Sequence, residues 1–177
     1  MTWYVARAGG LLAYLLLTSS VVAGLLLSGR ARLKHWPRFA VEDVHRFLGI
    51  LAGTFILIHG GALLVDSSMP FALGQLLVPG TAPYRPLPVA LGVVAAELLA
   101  ALALTNHYRK LIPYRIWRRA HYLNFGVWVL ALVHGLTAGT DATSLWALSL
   151  YAGSAWFVLA LLVHRVSLHR AKPARSS

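Results

Sequence analysis

The sequence predicts an all-α membrane protein, a five-helix transmembrane bundle with its amino terminus outside and its carboxyl terminus inside. Three observations carry that expectation. Hydrophobic residues make up 58% of the 177-residue chain against 12% charged ones, and the mean hydropathy is +0.67, a balance foreign to soluble domains of this size. The apolar residues gather into runs near the length that crosses a hydrocarbon core of about 30 Å. The sixteen Lys and Arg residues gather in the gaps between those runs, mostly in alternate gaps.

The first run, residues 8–27, has the length of a spanning helix. Val21 and Ala23 loosely suit a signal-peptide cleavage site. Only Arg7 precedes the run, however, and the basic cluster follows it, so it reads as a retained helix. Arg30, Arg32, Lys34, His35 and Arg38, with Trp36 and Pro37, then form a short basic connection of cytoplasmic type. The second helix covers about 42–65, with Glu42 and Asp43 in its first turn, where carboxylates suit the helix dipole.

From Asp66 to Pro88 the chain holds one basic residue, Arg85, and prolines at 70, 79, 83, 86 and 88, so it reads as an outer loop. Its middle, Phe71 to Val78, is expected as a short helix lying on the membrane surface as a lid. The third span covers about 88–105, with Glu97 near its middle. His107, Arg109, Lys110, Arg115, Arg118 and Arg119 follow and return the chain to the basic side. The fourth helix covers 117–138 and the fifth 145–163, separated by a gap in which Asp141 is the only charge. Residues 164–177 form a basic cytoplasmic tail with Arg165, Arg170, Lys172 and Arg175.

Counted by side, fourteen Lys and Arg residues fall on one face, and Arg7 and Arg85 on the other. An odd number of helices requires opposite ends, so helix count and charge bias give the same orientation. The 177 residues read as one transmembrane domain, with no room for a further nucleotide-binding domain of roughly 100 residues. Basic residues dispersed at helix ends, not on one polar surface, exclude a nucleic-acid reading. With no cysteine there is no iron–sulfur cluster, covalently attached c-type haem or disulfide, and histidine remains the strong ligand for a redox metal.

Four histidines stand inside apolar runs: His45 and His59 on the second helix, His121 and His134 on the fourth. Steps of fourteen and thirteen residues put the imidazoles of each helix about 20 Å apart along its axis. Both helices run from inside to outside, which pairs His45 with His121 at the inner end and His59 with His134 at the outer end. Intramembrane ionisable residues are functional candidates by default. Two bis-histidine haems b are therefore expected, their iron saturated axially and suited to electron transfer. The fourteen-residue step returns to within about 40° of the same helix face, whereas thirteen residues leave about 140°, which an irregular first turn near His121 would have to absorb.

Neighbouring residues fit or merely tolerate that reading. Gly49, Gly53, Gly60, Gly61, Gly126 and Gly135 give clearance for a porphyrin or simply let helices pack closely. Arg46, Arg118 and Arg119 at the inner end, and Arg85 and Tyr84 in the outer loop, are candidate partners for haem carboxylates. Phe55, Phe125 and Trp128 lie between the ligand levels, lining a path between haems or filling the core. Glu97 is a structural acid or part of a proton path. Asp141 attracts a cationic acceptor or caps a turn. His35, His107, His164 and His169 read as surface residues.

These residues also carry a resemblance. His45-Arg46-Phe47-Leu48-Gly49 running to His59, and Trp117-Arg118-Arg119-Ala120-His121 running to His134-Gly135, resemble the ferric reductase-like transmembrane domain shared by ferric reductases and NADPH oxidases. The similarity covers most of 38–165. It implies two b-type haems that pass electrons outward from a cytosolic flavin to ferric iron or oxygen. Larger members add flavin and NAD(P)H domains; here FAD or FMN is expected on a partner only.

The expected function is thus transmembrane electron transfer in a bacterial cytoplasmic membrane. The donor is a separate flavoprotein reductase or quinol, and the acceptor ferric iron, oxygen or a partner protein, with no residue of this chain assigned a catalytic role. A non-catalytic membrane anchor of a redox complex and a haem-free proton or ion pathway are the competing functions.

Overall fold

Long stretches of Leu, Ala, Val and Gly leave the backbone without polar partners outside itself, and the helix satisfies every internal N–H and C=O locally. The computed structural model describes residues 1–28, 36–69 and 71–170, the last three without their side chains. All its regular structure is helical: α1 (Thr2–Ser28), α2 (Arg38–Leu64), α3 (Leu73–Leu77), α4 (Pro86–His107), α5 (Tyr114–Tyr122), α6 (Asn124–Ala138) and α7 (Leu145–Arg170), with one 3-10 turn at Arg109–Leu111. The basic residues Arg30, Arg32, Lys34 and His35, Pro70 in the outer loop, and Lys172 and Arg175 of the tail lie outside the described residues, as do the side chains of His169 and Arg170.

Four helices are long and apolar enough to cross a membrane: α1, α2, α4 and the Leu145–Ser167 part of α7. The architecture is that of a multi-pass membrane protein. Prolines set several starts: Pro37 precedes α2 in extended conformation, Pro113 precedes α5, and Pro86 occupies the first position of α4, where its missing N–H costs nothing. Most spans overrun the expected bounds because a helix need not stop where the hydrocarbon does. The short helix expected within 71–78 is found as α3, whose first turn is closed by the Ala72 N–H donating to Gln75 Oε1 at 3.0 Å.

The expected fourth helix differs. Residues 117–138 do not form one continuous helix; they divide between α5 and α6 at Leu123. Asn124 is the cause, since its side-chain amide donates to the His121 carbonyl at 2.8 Å, while Leu123 N–H reaches back only three residues to Ala120 at 2.9 Å. The polar segment before the break has no buried residue and exposes Arg115, Arg118 and Arg119. At fifteen residues α6 is about 22 Å long, short of a full span.

Helices α1 and α2 pack most extensively and run antiparallel, Gly9 lying against His59 and Gly24 against His45. Helix α4 packs on α6, and α7 is applied more lightly to α1 and α6. The core holds Leu17 and Val21 of α1, Ala52 of α2, Val127 and Trp128 of α6 and Val158 of α7. Polar groups inside it are matched: the Trp128 indole N–H donates to Thr18 Oγ1 at 2.9 Å, and Tyr14 Oη lies 2.6 Å from Ser154 Oγ. Such interhelical bonds are worth about 1 kcal/mol each in a membrane. Leu57 is 77% exposed and Trp156 71%, as expected of side chains solvated by lipid.

At one end the connections are tied together by Asp66, which is buried. Thr2 Oγ1 donates to its carboxylate at 2.6 Å, and the Ser68 and Met69 amides donate at 2.8 and 3.0 Å. These bonds, the Thr2 hydroxyl first, hold the Asp66 carboxyl below its ordinary range. A depressed carboxylate stabilises the fold fully above the unfolded value of about 3.9 and loses that contribution as pH falls through the folded one. Hydrogen exchange at the Ser68 and Met69 amides, corrected for intrinsic rate, should therefore stay slow above the unfolded value and quicken only as pH falls below it. In Asp66→Asn that pH dependence should vanish.

Candidate functional site: two imidazole pairs

The fold brings the four intramembrane histidines together two by two. His45 of α2 meets His121 of α5, their ring centres 6.0 Å apart and their planes at 75°. His59 of α2 meets His134 of α6 at 6.3 Å and 73°. The thirteen- and fourteen-residue steps both end in a ring pair, the thirteen-residue step crossing the α5/α6 boundary at Leu123.

Three of the imidazoles are anchored in the same way. Nδ1 of His45 lies 2.8 Å from the Ser20 carbonyl, Nδ1 of His59 2.7 Å from the Ala6 carbonyl, and Nδ1 of His134 2.8 Å from the Pro88 carbonyl. A carbonyl only accepts, so Nδ1 carries the proton and a neutral ring keeps the Nε2 lone pair available. That tautomer and that outer bond are what metal-ligating histidines use. His121 departs from the pattern: its Nδ1 lies 3.4 Å from Asn124 Nδ2, and the Trp117 indole stacks on it at 5.2 Å and 25°.

A metal-bound imidazole nitrogen lies about 2 Å from the metal and its ring centre roughly 1 Å farther back, so two imidazoles on opposite sides of one metal have centres about 6 Å apart. Both pairs have that separation. Direct edge-to-face packing of two rings spans the same range, and the Nδ1 anchoring is compatible with both. Among the described residues no His, Cys, Asp or Glu joins either pair to make a third ligand. A metal held by either pair would take its remaining donors from outside these residue types, and two facing imidazoles are compatible with the protein ligands of a bis-histidine haem. Trp117 Nε1 is compatible with the same fit: beside His121 it is buried without a hydrogen-bond partner among the described residues, a donor that a carboxylate of a bound group would satisfy.

The His59–His134 pair borders a cavity of about 260 Å³ lined also by Tyr84, Met69 and Phe71, with Arg7 and Asp141 in its wall. Arg7 and Asp141 form an ion pair that joins α1 to the turn before α7. Arg85, next to the cavity residue Tyr84, lies over the Tyr84 ring at 5.4 Å and donates from Nη1 to the Thr137 carbonyl at 2.6 Å. Its backbone sits at φ 40°, in the left-handed region, which costs a non-glycine residue about 1 kcal/mol and is held by those two contacts.

At the other end Arg46, Arg118 and Arg119 are exposed. Arg46 pairs with Asp43 at 3.8 Å, and Arg118 donates to Tyr122 Oη at 3.3 Å. Phe55 is half-buried, Phe125 packs against the core, and Trp128 is buried with its indole committed to Thr18. His107 and His164 are exposed. Arg7, Trp117 and the three carbonyls are site residues that sequence reasoning did not select; only the two side chains left a trace, as a lone cation entering an apolar run and as the first residue of the Trp117–His121 segment.

The glycines that make room for the imidazoles lie on the facing helices, not after the histidines. A Cβ at Gly92 would stand 2.7 Å from Nδ1 and Cε1 of His134, one at Gly10 3.0 Å from Nδ1 of His59, and one at Gly24 3.3 Å from Cε1 of His45. By contrast, Gly53, Gly61 and Gly126 have nothing within 4 Å, and Gly135 accommodates Tyr151.

Comparisons with protein-family models, with curated proteins and with solved structures return no match for this chain.

Gly92→Ala should push the His134 ring off the Pro88 carbonyl and destabilise the protein by about 1–3 kcal/mol, the usual cost of overpacking. Gly53→Ala should be close to neutral. Unfolding midpoints of the two variants in detergent check the contrast.

Proposed function

We propose that this chain carries electrons across a membrane through two b-type haems. The observation that carries the proposal is the pairing of the four imidazoles at 6.0 and 6.3 Å with three tautomers fixed by backbone carbonyls. In this reading His45 and His121 hold the inner haem and His59 and His134 the outer one. An iron porphyrin held by two imidazoles would supply one-electron transfer.

The protein's part is orientation and enclosure. The Ser20, Ala6 and Pro88 carbonyls fix ring rotation and raise ligand basicity. Gly10, Gly24 and Gly92 let α1 and α4 close over the rings and shut out lipid and water. Tyr84, Arg7 and Arg85 supply donors at the outer end; Trp117 Nε1, Arg46, Arg118 and Arg119 supply them at the inner end.

The bundle is read as α1, α2, α4, α5 with α6, and α7, five passes in all, with the amino terminus outside, as the charge bias favours. Electrons then enter at the basic face from a cytosolic flavoprotein carrying FAD or FMN, or from a quinol, and leave toward ferric iron, oxygen or a partner protein. This remains close to the ferric reductase-like domain that the His45 and Trp117 segments resemble. A bacterial cytoplasmic membrane suits it. A proton path joining Glu97 to the histidines has less support, because Glu97 lies about 140° around α4 from Gly92, the residue that faces His134.

Protein purified from haem-replete cells should show a low-spin b-type spectrum with two haems per chain. His59→Ala and His134→Ala should each remove the same haem, and His45→Ala and His121→Ala the other. A haem-free wild-type protein, or loss of different haems within one pair, overturns the assignment. Vesicles enclosing a flavin reductase with its nicotinamide should reduce an external ferric chelate only when the bundle is present, which separates a conduit from a passive anchor.

A further inference from the structure

Of the five acidic residues, Glu42, Asp43, Asp66 and Asp141 lie at a helix end or in connections, and Glu97 alone lies at the middle of a span, twelfth of the twenty-two residues of α4. It is exposed on the outside of the bundle and has no hydrogen bond or ion pair among the described residues. Intramembrane carboxyl groups normally face a bundle interior, a cavity or a partner, because hydrocarbon offers them nothing. Among the described residues Glu97 faces none of these.

The surface around it is organised. Leu87, Ala90, Val94, Glu97, Ala101 and Leu104 follow one another at steps of three and four, the spacing of a helix-pairing seam. All are exposed except Ala90, which is half-buried; the stripe lies on the side of α4 away from Gly92 and the buried Ala95, with buried Val93 at its edge one turn before Glu97. Small residues at 90 and 101 permit a second backbone to come close on either side of the acid.

We propose that this face of α4 is a homodimer interface, in which Glu97 of one copy is hydrogen-bonded to Glu97 of the other. Two copies in one membrane related by a two-fold axis along the membrane normal bring identical residues of facing helices together at the same depth. A carboxyl group is its own complement in that position, since the O–H of one donates to an oxygen of the other. A second copy therefore satisfies Glu97 with nothing but its own chemistry. The inference does not depend on the haem reading.

The chain has no cysteine, so single-cysteine variants report contacts without background. In lipid vesicles at low protein density, Val94→Cys and Ala101→Cys of the full chain should form disulfide-linked dimers on mild oxidation. Leu159→Cys, on the exposed face of α7, should not. Adding Glu97→Leu to Ala101→Cys should weaken association roughly tenfold, the order set by one or two interhelical hydrogen bonds. Glu97→Gln, self-complementary through its amide, should retain most of it. Equal cross-linking at Leu159→Cys, or a yield unmoved by Glu97→Leu, overturns the interface. Linkage of the α4 cysteines to a different protein whose helix brings a basic side chain to Glu97 overturns the homodimer.

Discussion

An imidazole in hydrocarbon has two nitrogens to satisfy and no water to satisfy them, and that constraint shapes this bundle more than any other. For His45, His59 and His134 the first nitrogen is answered by a backbone carbonyl on a neighbouring helix. Two of those carbonyls belong to α1 and one to the start of α4, so each histidine also records which helix must lie beside it. A carbonyl can serve because it has a second lone pair beyond its helical bond. The remaining nitrogens lie in the space between α2 and the α5/α6 unit. The packing of α1 on α2 and of α4 on α6 follows from the same bonds that hold the rings.

Close approach is the second condition, and it explains where glycine is needed. A bond from a ring nitrogen to a facing backbone carbonyl requires the two helices to be closer than ordinary side chains permit. Gly10, Gly24 and Gly92 remove the Cβ atoms that would meet the rings. A sequence displays which residues follow a histidine but not which residues oppose it. Gly49, Gly60 and Gly135 beside the histidines were visible in the chain, whereas the glycines that decide the geometry lie some 35 to 50 positions away for His59 and His134.

The histidine levels and their pairing were legible because a helix converts sequence spacing directly into depth, and alternate helices share a direction. The helix break was not. Nothing in the hydrophobic pattern of 117–138 marks Leu123, since the decision rests on one side-chain amide competing for the His121 carbonyl. The fourteen-against-thirteen mismatch did reveal that a continuous helix would put one ring on the wrong face. The ion pair of Arg7 with Asp141 is a tertiary contact across 134 positions, and topology rules read each of its members only as a sign of side.

The two pairs are therefore built with different stiffness. His59 and His134 each have a carbonyl anchor, a glycine on the facing helix and a position inside a continuous helix. His121 stands next to the last residue of a nine-residue polar helix, beside Asn124 and under Trp117, with its Nδ1 facing an amide donor instead of a carbonyl. A segment as polar as α5 cannot be held by burial, so the position of His121 depends on the helix break and on the ring that stacks on it. The break is thus what lets a basic segment suited to the membrane surface contribute an imidazole to the interior, and the adjustable half of the arrangement falls at the end where the charges gather.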